Sequence, residues 1–117
     1  SIIGEAENQG ADGMLALACA IRNRGNLHGV FGLEQIRENS GVFIRITKHG
    51  PRRIRPAIVQ AARDAWQKSL TEKIHSGTHW ENVRAFGMPT WARNMARVYE
   101  VGDHVFFKTM SKMSKGV

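Results

Sequence analysis

Three stretches of this sequence carry side chains able to do chemistry. The first is Gly4-Glu5-Ala6-Glu7. Glu5 lies between small residues, so a ligand can approach its carboxyl closely. It falls three residues after Ile2, on a helix face expected to be partly buried. A partly buried carboxyl holds its proton to higher pH than a solvated one. Such a group can act as a general acid near neutrality. An ordinary surface glutamate would look the same at this level. The second stretch is Gly77-Thr78-His79-Trp80-Glu81-Asn82, followed by Pro89-Thr90-Trp91. Two tryptophans, a histidine and an amide this close together suit a sugar: aromatic faces receive its C–H face, and amides bond its hydroxyls. The same tryptophans also suit a core in which each indole N–H finds a partner. The third is Val101-Gly102-Asp103-His104-Val105-Phe106-Phe107. Strand alternation sends His104 and Phe106 one way and Val105 and Phe107 the other, so His104 either faces a site or is a hydrogen-bonded core histidine. A zinc site from His75, His79 and His104 is disfavoured. His75-x3-His79 has ligand spacing only on a helix, and Gly77-Thr78 opposes a helix there.

Elements able to position these residues follow from periodicity. A short helix is expected over Ser1–Gln9, stopped by Gly10. A second is expected over Ala11–Arg24, with Met14, Leu17, Ala18 and Ile21 as its core stripe and Gly25 as its stop. Leu33–Glu38 is expected as a short third helix. Residues 40–55 are expected to be irregular, with a basic loop at 48–55 holding Lys48, Arg52, Arg53 and Arg55. Pro56 suits the first turn of the next helix, where its missing N–H costs nothing, and Val59, Ala62 and Trp66 mark that helix's inner face. Residues 75–83 and 98–108 are strand-like, with Gly102-Asp103 as the turn within the second. Helices followed by a short antiparallel sheet make an α+β domain.

The chain has 117 residues, 42% hydrophobic and 23% charged, a length and balance suited to one folded domain. The catalytic domain is expected over residues 1–108, with a basic tail over 109–117. No apolar run approaches the ~18 residues of a membrane span, and no signal peptide is visible. One cysteine, Cys19, excludes an internal disulfide and a Cys-rich zinc module. Lys and Arg total 17 against 10 Asp and Glu, a net charge of +7. This surplus favours an anionic partner such as a cell-wall polymer, nucleic acid or acidic lipid, or else serves solubility alone.

Taken in order, these features resemble the catalytic domain of the SleB/CwlJ-type cell-wall hydrolases, the spore-cortex-lytic enzymes and their relatives. The resemblance rests on Ile3-Gly4-Glu5-Ala6, Gly13 through Ala18, Ile21-Arg22-Asn23-Arg24, Ala61 to Trp66, Gly77-Thr78 with Asn82, Pro89-x-Trp91, and Val101-Gly-x-His-x-Phe106. It covers nearly the whole chain up to Lys108. Departures are the added acid Glu81 and the drifted, basic region 41–55. The resemblance implies a small lysozyme-like α+β domain. It also implies cleavage of the β-1,4 bond between N-acetylmuramic acid and N-acetylglucosamine in peptidoglycan, with Glu5 as catalytic acid. Thr78, Trp80, Asn82, Trp91 and His104 are the expected substrate-binding residues.

The expected activity is bacteriolytic, on the wall in periplasm, spore cortex or outside the cell. The enzyme is expected to work as a monomer, with no cofactor or metal and no nucleic-acid partner. A water-using glycosidase normally needs two carboxylates. Glu7 should point away from Glu5 on a helix, and Glu81 should alternate away from Trp80 and Asn82 in a strand. A single-glutamate lytic transglycosylase is therefore expected. In that reading the basic loop attracts the wall and takes no part in chemistry. The rival readings are a basic nucleic-acid-binding module, with Lys48, Arg52, Arg53 and Arg55 on phosphates, and a non-catalytic wall-binding domain of the same fold.

Overall fold

The computed structural model describes residues 1–110, so all but the first two residues of the expected basic tail lie outside the described residues. Helix α1 is Ile2–Ala6 and helix α2 is Gly10–Arg24. Every residue of α2 from Gly13 to Ile21 is buried. A helix apolar on all sides belongs at the centre of a domain, so the expected stripe is only part of what α2 buries. Its end is the expected one: Gly25 takes the left-handed conformation and its N–H bonds Ile21 O.

Two expectations change in the next segment. The helix expected over Leu33–Glu38 is a 3₁₀ turn, Gly32–Gln35, running directly into strand β1, Ile36–Asn39. The Leu33/Ile36 spacing spans a single turn, which is all that a short 3₁₀ piece needs. The region expected to be irregular holds strands β2, Val42–Thr47, and β3, Gly50–Arg53. Its β-branched residues Val42, Ile44, Ile46 and Thr47 suit a strand. Ser40 and Gly41, with φ of 51° and 83°, supply the two positive-φ positions of a tight hairpin turn. The order is β1-β2-β3, antiparallel throughout.

Pro56 opens helix α3, Pro56–Lys68, as expected. Arg22 of α2 fastens the far end of α3. Its guanidinium lies 3.6 Å from the Trp66 ring centroid and donates to Ser69 Oγ and to Trp66 O. Strands β4 (His79–Asn82), β5 (Met95–Val101) and β6 (His104–Thr109) form the second antiparallel sheet, in the order β4-β6-β5. The one-turn helix α4, Val83–Phe86, follows β4, and a 3₁₀ turn, Thr90–Asn94, precedes β5. Strand β6 is buried from His104 to Phe107. Phe106 joins the main core with Met14 and Leu17, while Val105 and Phe107 join Ala92 in a second cluster. That is the expected alternation, with both faces covered. The domain is therefore α+β, with one difference of order: a complete sheet stands between α2 and α3, where helices alone were expected. No helix among the described residues is long and apolar enough to cross a membrane.

Two polar residues tie the second sheet to α2. Asn23 Nδ2 donates to His75 O and Gly77 O. His75 Nε2 lies 2.7 Å from Ala16 O, while its Nδ1 accepts from Gly77 N–H. That pair of bonds fixes a neutral tautomer, because a second ring proton would face the Gly77 N–H.

Two outcomes are expected from this arrangement. Phe106→Ala empties the centre of the core and should cost about 3–5 kcal/mol in a denaturant titration. Burial holds His75, His79 and His104 below the usual imidazole range. In the window below about pH 6.5 the unfolded chain binds protons that the fold refuses, so stability should be complete above it and fall as pH drops. Melting temperatures measured from about pH 7.5 down to about pH 5 check the sign. His75→Gln removes one titrating group and should flatten part of the slope.

Candidate active site

An open cleft of about 730 Å³ runs between the first helix and the second sheet. Gly4 and Glu5 come from α1, Arg24 from the end of α2, and Gly29, Phe31, Gly32 and Gln35 from the segment after it. His79, Trp80, Glu81 and Asn82 come from β4, Phe86 from α4, Trp91 from the second 3₁₀ turn, and His104 from β6. The size lies within the usual range for ligand sites.

The Glu5 carboxyl is clamped from both sides. Oε2 accepts from the Gly32 backbone N–H at 2.7 Å, and Oε1 accepts from Trp80 Nε1–H at 3.0 Å. The first bond requires two backbones to touch. A Cβ on Gly4 would sit 2.5 Å from Gly32 C and O, so only glycine fits there. A Cβ on Gly32 would in turn collide with Glu5 Oε2. The Gly-Glu pair is thus a steric requirement of the site as well as a motif.

Most of the expected site residues converge. Trp80, Asn82, Trp91 and His104 line the same cleft as Glu5. Trp80 uses its indole N–H to orient Glu5, and the Arg24 guanidinium stands 5.6 Å from its ring centroid. Trp91, 40% exposed, is the more accessible of the two tryptophans in the cleft. It is backed by Phe107 edge-on at 5.4 Å. Asn82 Oδ1 caps α4 by accepting from Ala85 N–H, which leaves its amide N–H groups for the cleft. His104 is 4% exposed. Burial lowers its basicity, and the nearby Glu5 and Asp103 oppose that shift. Thr78 is the exception, since it is not part of the lining. Its hydroxyl bonds His79 Nδ1 at 2.9 Å, and its N–H pairs with Phe107 O. Thr78 therefore positions His79, which takes the place in the cleft expected of Thr78.

A second correction concerns the acids. Glu81 was expected to alternate away from Trp80 and Asn82, yet all three line the cleft. Strand β4 is an edge strand of four residues that passes straight into α4. The cleft reaches around that edge, so alternation does not separate its side chains. Burial raises the Glu81 pKa, the neighbouring Glu5 charge adds to the shift, and the Asn82 backbone N–H works against it. Two other acids, Glu7 and Asp103, have partners elsewhere. Glu7 is paired with Arg45 and Arg52, both at 2.8 Å, and the Arg52 hydrogen bond leads in holding its carboxyl below the usual range. Asp103 accepts from Gln9 Nε2 and returns a backbone N–H to Gln9 Oε1.

Sequence reasoning placed His79 in the sugar-suited patch without naming it as a binding residue, and missed Arg24, Phe31 and Phe86 as lining residues. Phe31 and Phe86 are 71% and 78% exposed, and a large exposed aromatic residue at a cleft rim is visible only in three dimensions. The basic stretch 48–55 is also corrected. Half of it, residues 50–53, is strand β3, with Arg52 committed to Glu7 at the end of α1 and Arg53 lining a separate cavity with Gly41, Phe43 and Pro56.

The Gly4–Gly32 contact makes a direct prediction. Gly4→Ala should lose about 1–3 kcal/mol of stability, the usual cost of overpacking. It should also shift the Trp80 indole N–H resonance, leaving those of Trp66 and Trp91 in place. Unchanged stability with an unchanged Trp80 resonance would mean that the two backbones have room to separate.

Comparisons with protein-family models, with curated proteins and with solved structures find no match, so the chemistry of the cleft and the motifs that line it are what bear on function.

Proposed function

We propose that this protein cleaves peptidoglycan glycan strands between N-acetylmuramic acid and N-acetylglucosamine, with Glu5 as the proton donor to the departing glycosidic oxygen. One observation carries the reading: a carboxyl clamped by two N–H donors opens into a cleft whose walls are aromatic rings, an amide and imidazoles. That lining suits sugar rings, and a fixed carboxyl suits acid catalysis. The SleB/CwlJ-like motifs supply the choice of polymer. A nucleic-acid module would leave this cleft without a purpose, and Arg52 is already paired with Glu7. A non-catalytic wall-binding domain would have no need to clamp Glu5.

The step proposed is that of a lytic transglycosylase. Glu5 protonates the leaving oxygen as the glycosidic bond breaks. It then takes a proton from the muramyl 6-hydroxyl as that oxygen attacks the anomeric carbon and closes a 1,6-anhydro ring. Neither water nor a second carboxylate is consumed. Trp91 offers a stacking face and Asn82 an amide for acetamido or hydroxyl groups, while the buried His104 forms part of the wall behind them.

The position of Glu81 favours a second reading of the product. With two carboxyls on one cleft, Glu81 acts as the base that activates water, and the strand ends as a reducing sugar. Borohydride reduction followed by mass spectrometry separates the two, because an anhydro end cannot be reduced. Glu81→Gln should leave anhydro products intact under the first reading and abolish release under the second. Under either, Glu5→Gln should slow muropeptide release by about 10²-fold or more, the scale of general acid catalysis, with the melting temperature nearly unchanged. Release at the wild-type rate would remove Glu5 from the mechanism.

A further inference from the structure

Gly4 and Glu5 also line a second cavity, of about 500 Å³, which shares only these two residues with the cleft. Its character is different. Arg45, Arg52 and Arg55 surround it, with Glu7, Asn8 and Ile58 completing the lining.

The three guanidiniums are not equivalent. Arg45 is fully engaged: Nε binds Glu7, one terminal nitrogen binds Gln35 Oε1, and the other binds Ile3 O and Gly4 O. It braces α1 from below. Arg52 spends both terminal nitrogens on Glu7, although its side chain remains half exposed. Arg55, just before α3, is in no ion pair among the described residues. Glu7 offsets one positive charge. Three guanidiniums against the carboxyls of Glu5 and Glu7 leave the cavity a surplus of positive charge, and Arg55 is the donor left to meet an anion.

We propose that this cavity is an anion subsite for the carboxylates of the stem peptide carried by the muramyl residue, and that Arg55, supported by Arg52, makes the enzyme prefer peptide-bearing over naked glycan strands. The proposal rests on the glycan-cleavage reading above. The muramyl sugar flanks the bond at Glu5, and its lactyl-linked peptide leaves the same ring at C3, two carbons from the anomeric carbon of that bond. An aromatic cleft with two carboxyls and one guanidinium, and a cationic cavity that meets it at Glu5, match a polymer whose backbone is neutral sugar and whose branch is acidic. Guanidinium recognises carboxylate through paired N–H donors, which the open side of Arg55 can supply.

The test compares initial rates on two soluble substrates, both free of wall phosphate polymers. One is peptide-bearing glycan strands. The other is the same strands after an amidase has removed the stem peptides. The wild-type protein should favour the peptide-bearing strands about tenfold in kcat/KM, the scale of one charge-assisted hydrogen bond. Arg55→Gln should bring that ratio close to one through KM, with kcat on naked strands unchanged, and Arg55→Lys should restore part of it. Arg53→Gln makes the same charge change at a residue that lines a different cavity and should keep the preference. Amidating the stem carboxylates should abolish the preference of the wild-type protein with no mutation at all. Equal wild-type rates on both strands overturn the subsite and leave glycan cleavage standing. Loss of preference in Arg53→Gln as large as in Arg55→Gln also overturns it, in favour of diffuse charge. No release from either strand overturns the cleavage reading and the subsite together.

Discussion

The site depends on one close approach between backbones. Helix α1 is a single turn and a half, too short to be stable by itself. It is held from one side by burial of Ile2, Ile3 and Ala6 and from the other by contact with the 3₁₀ turn at Gly32. Two facing glycines permit that contact, and the freed space lets the Gly32 N–H reach the Glu5 carboxyl. Arg45 then closes the arrangement from β2 by bonding the Ile3 and Gly4 carbonyls. The carboxyl is thereby positioned by the first sheet, by the segment after α2 and, through Trp80, by the second sheet. All three have to fold before the site exists.

Strand β6 and helix α2 provide the rigidity behind this. Phe106 and the buried face of α2 leave the second sheet little freedom to move, and Asn23 and His75 fix the loop that leads into β4. Gln9, at the junction of α1 and α2, reaches across to Asp103 in the turn between β5 and β6. The turn that leads into the strand carrying His104 is therefore tied to the residue that links α1, which carries Glu5, to α2. Sites built this way hold reacting groups within narrow geometric limits, which catalysis requires.

Much of this was legible in the sequence, for identifiable reasons. The ends of α2 and α3 are written in Gly25 and Pro56, whose backbone preferences are local. The pairing of β5 with β6 is written in the alternation of residues 104–107 around the Gly102-Asp103 turn. The first sheet was not legible because its apolar residues are scattered among arginines, and one of those, Arg45, is partly buried because Glu7, Gln35 and two carbonyls receive it. The Glu81 side chain was misplaced because alternation assumes a strand flanked on both faces. At a short edge strand that turns at once into a helix, a cleft can reach both. Thr78 was misplaced by one residue for a related reason: its hydroxyl is consumed in fixing its neighbour.

Glu5 also stands at the boundary between two electrostatic environments. On one side are aromatic rings, two imidazoles whose basicity is lowered by burial, and Glu81, with Arg24 as the one arginine of the cleft. On the other are three guanidiniums answered in part by Glu7. Charges in contact with one cavity act strongly on ligands there and are screened within about 8 Å through solvent. A substrate spanning both regions would feel the difference along its own length: neutral sugar lies more favourably in the first and an acidic branch in the second. The reverse placement would bring acid against Glu81 and leave Arg55 facing uncharged hydroxyls. Through Glu5 and its neighbour Gly4, the fold gives the cleft a direction, and that direction would orient an asymmetric polymer before any bond is broken.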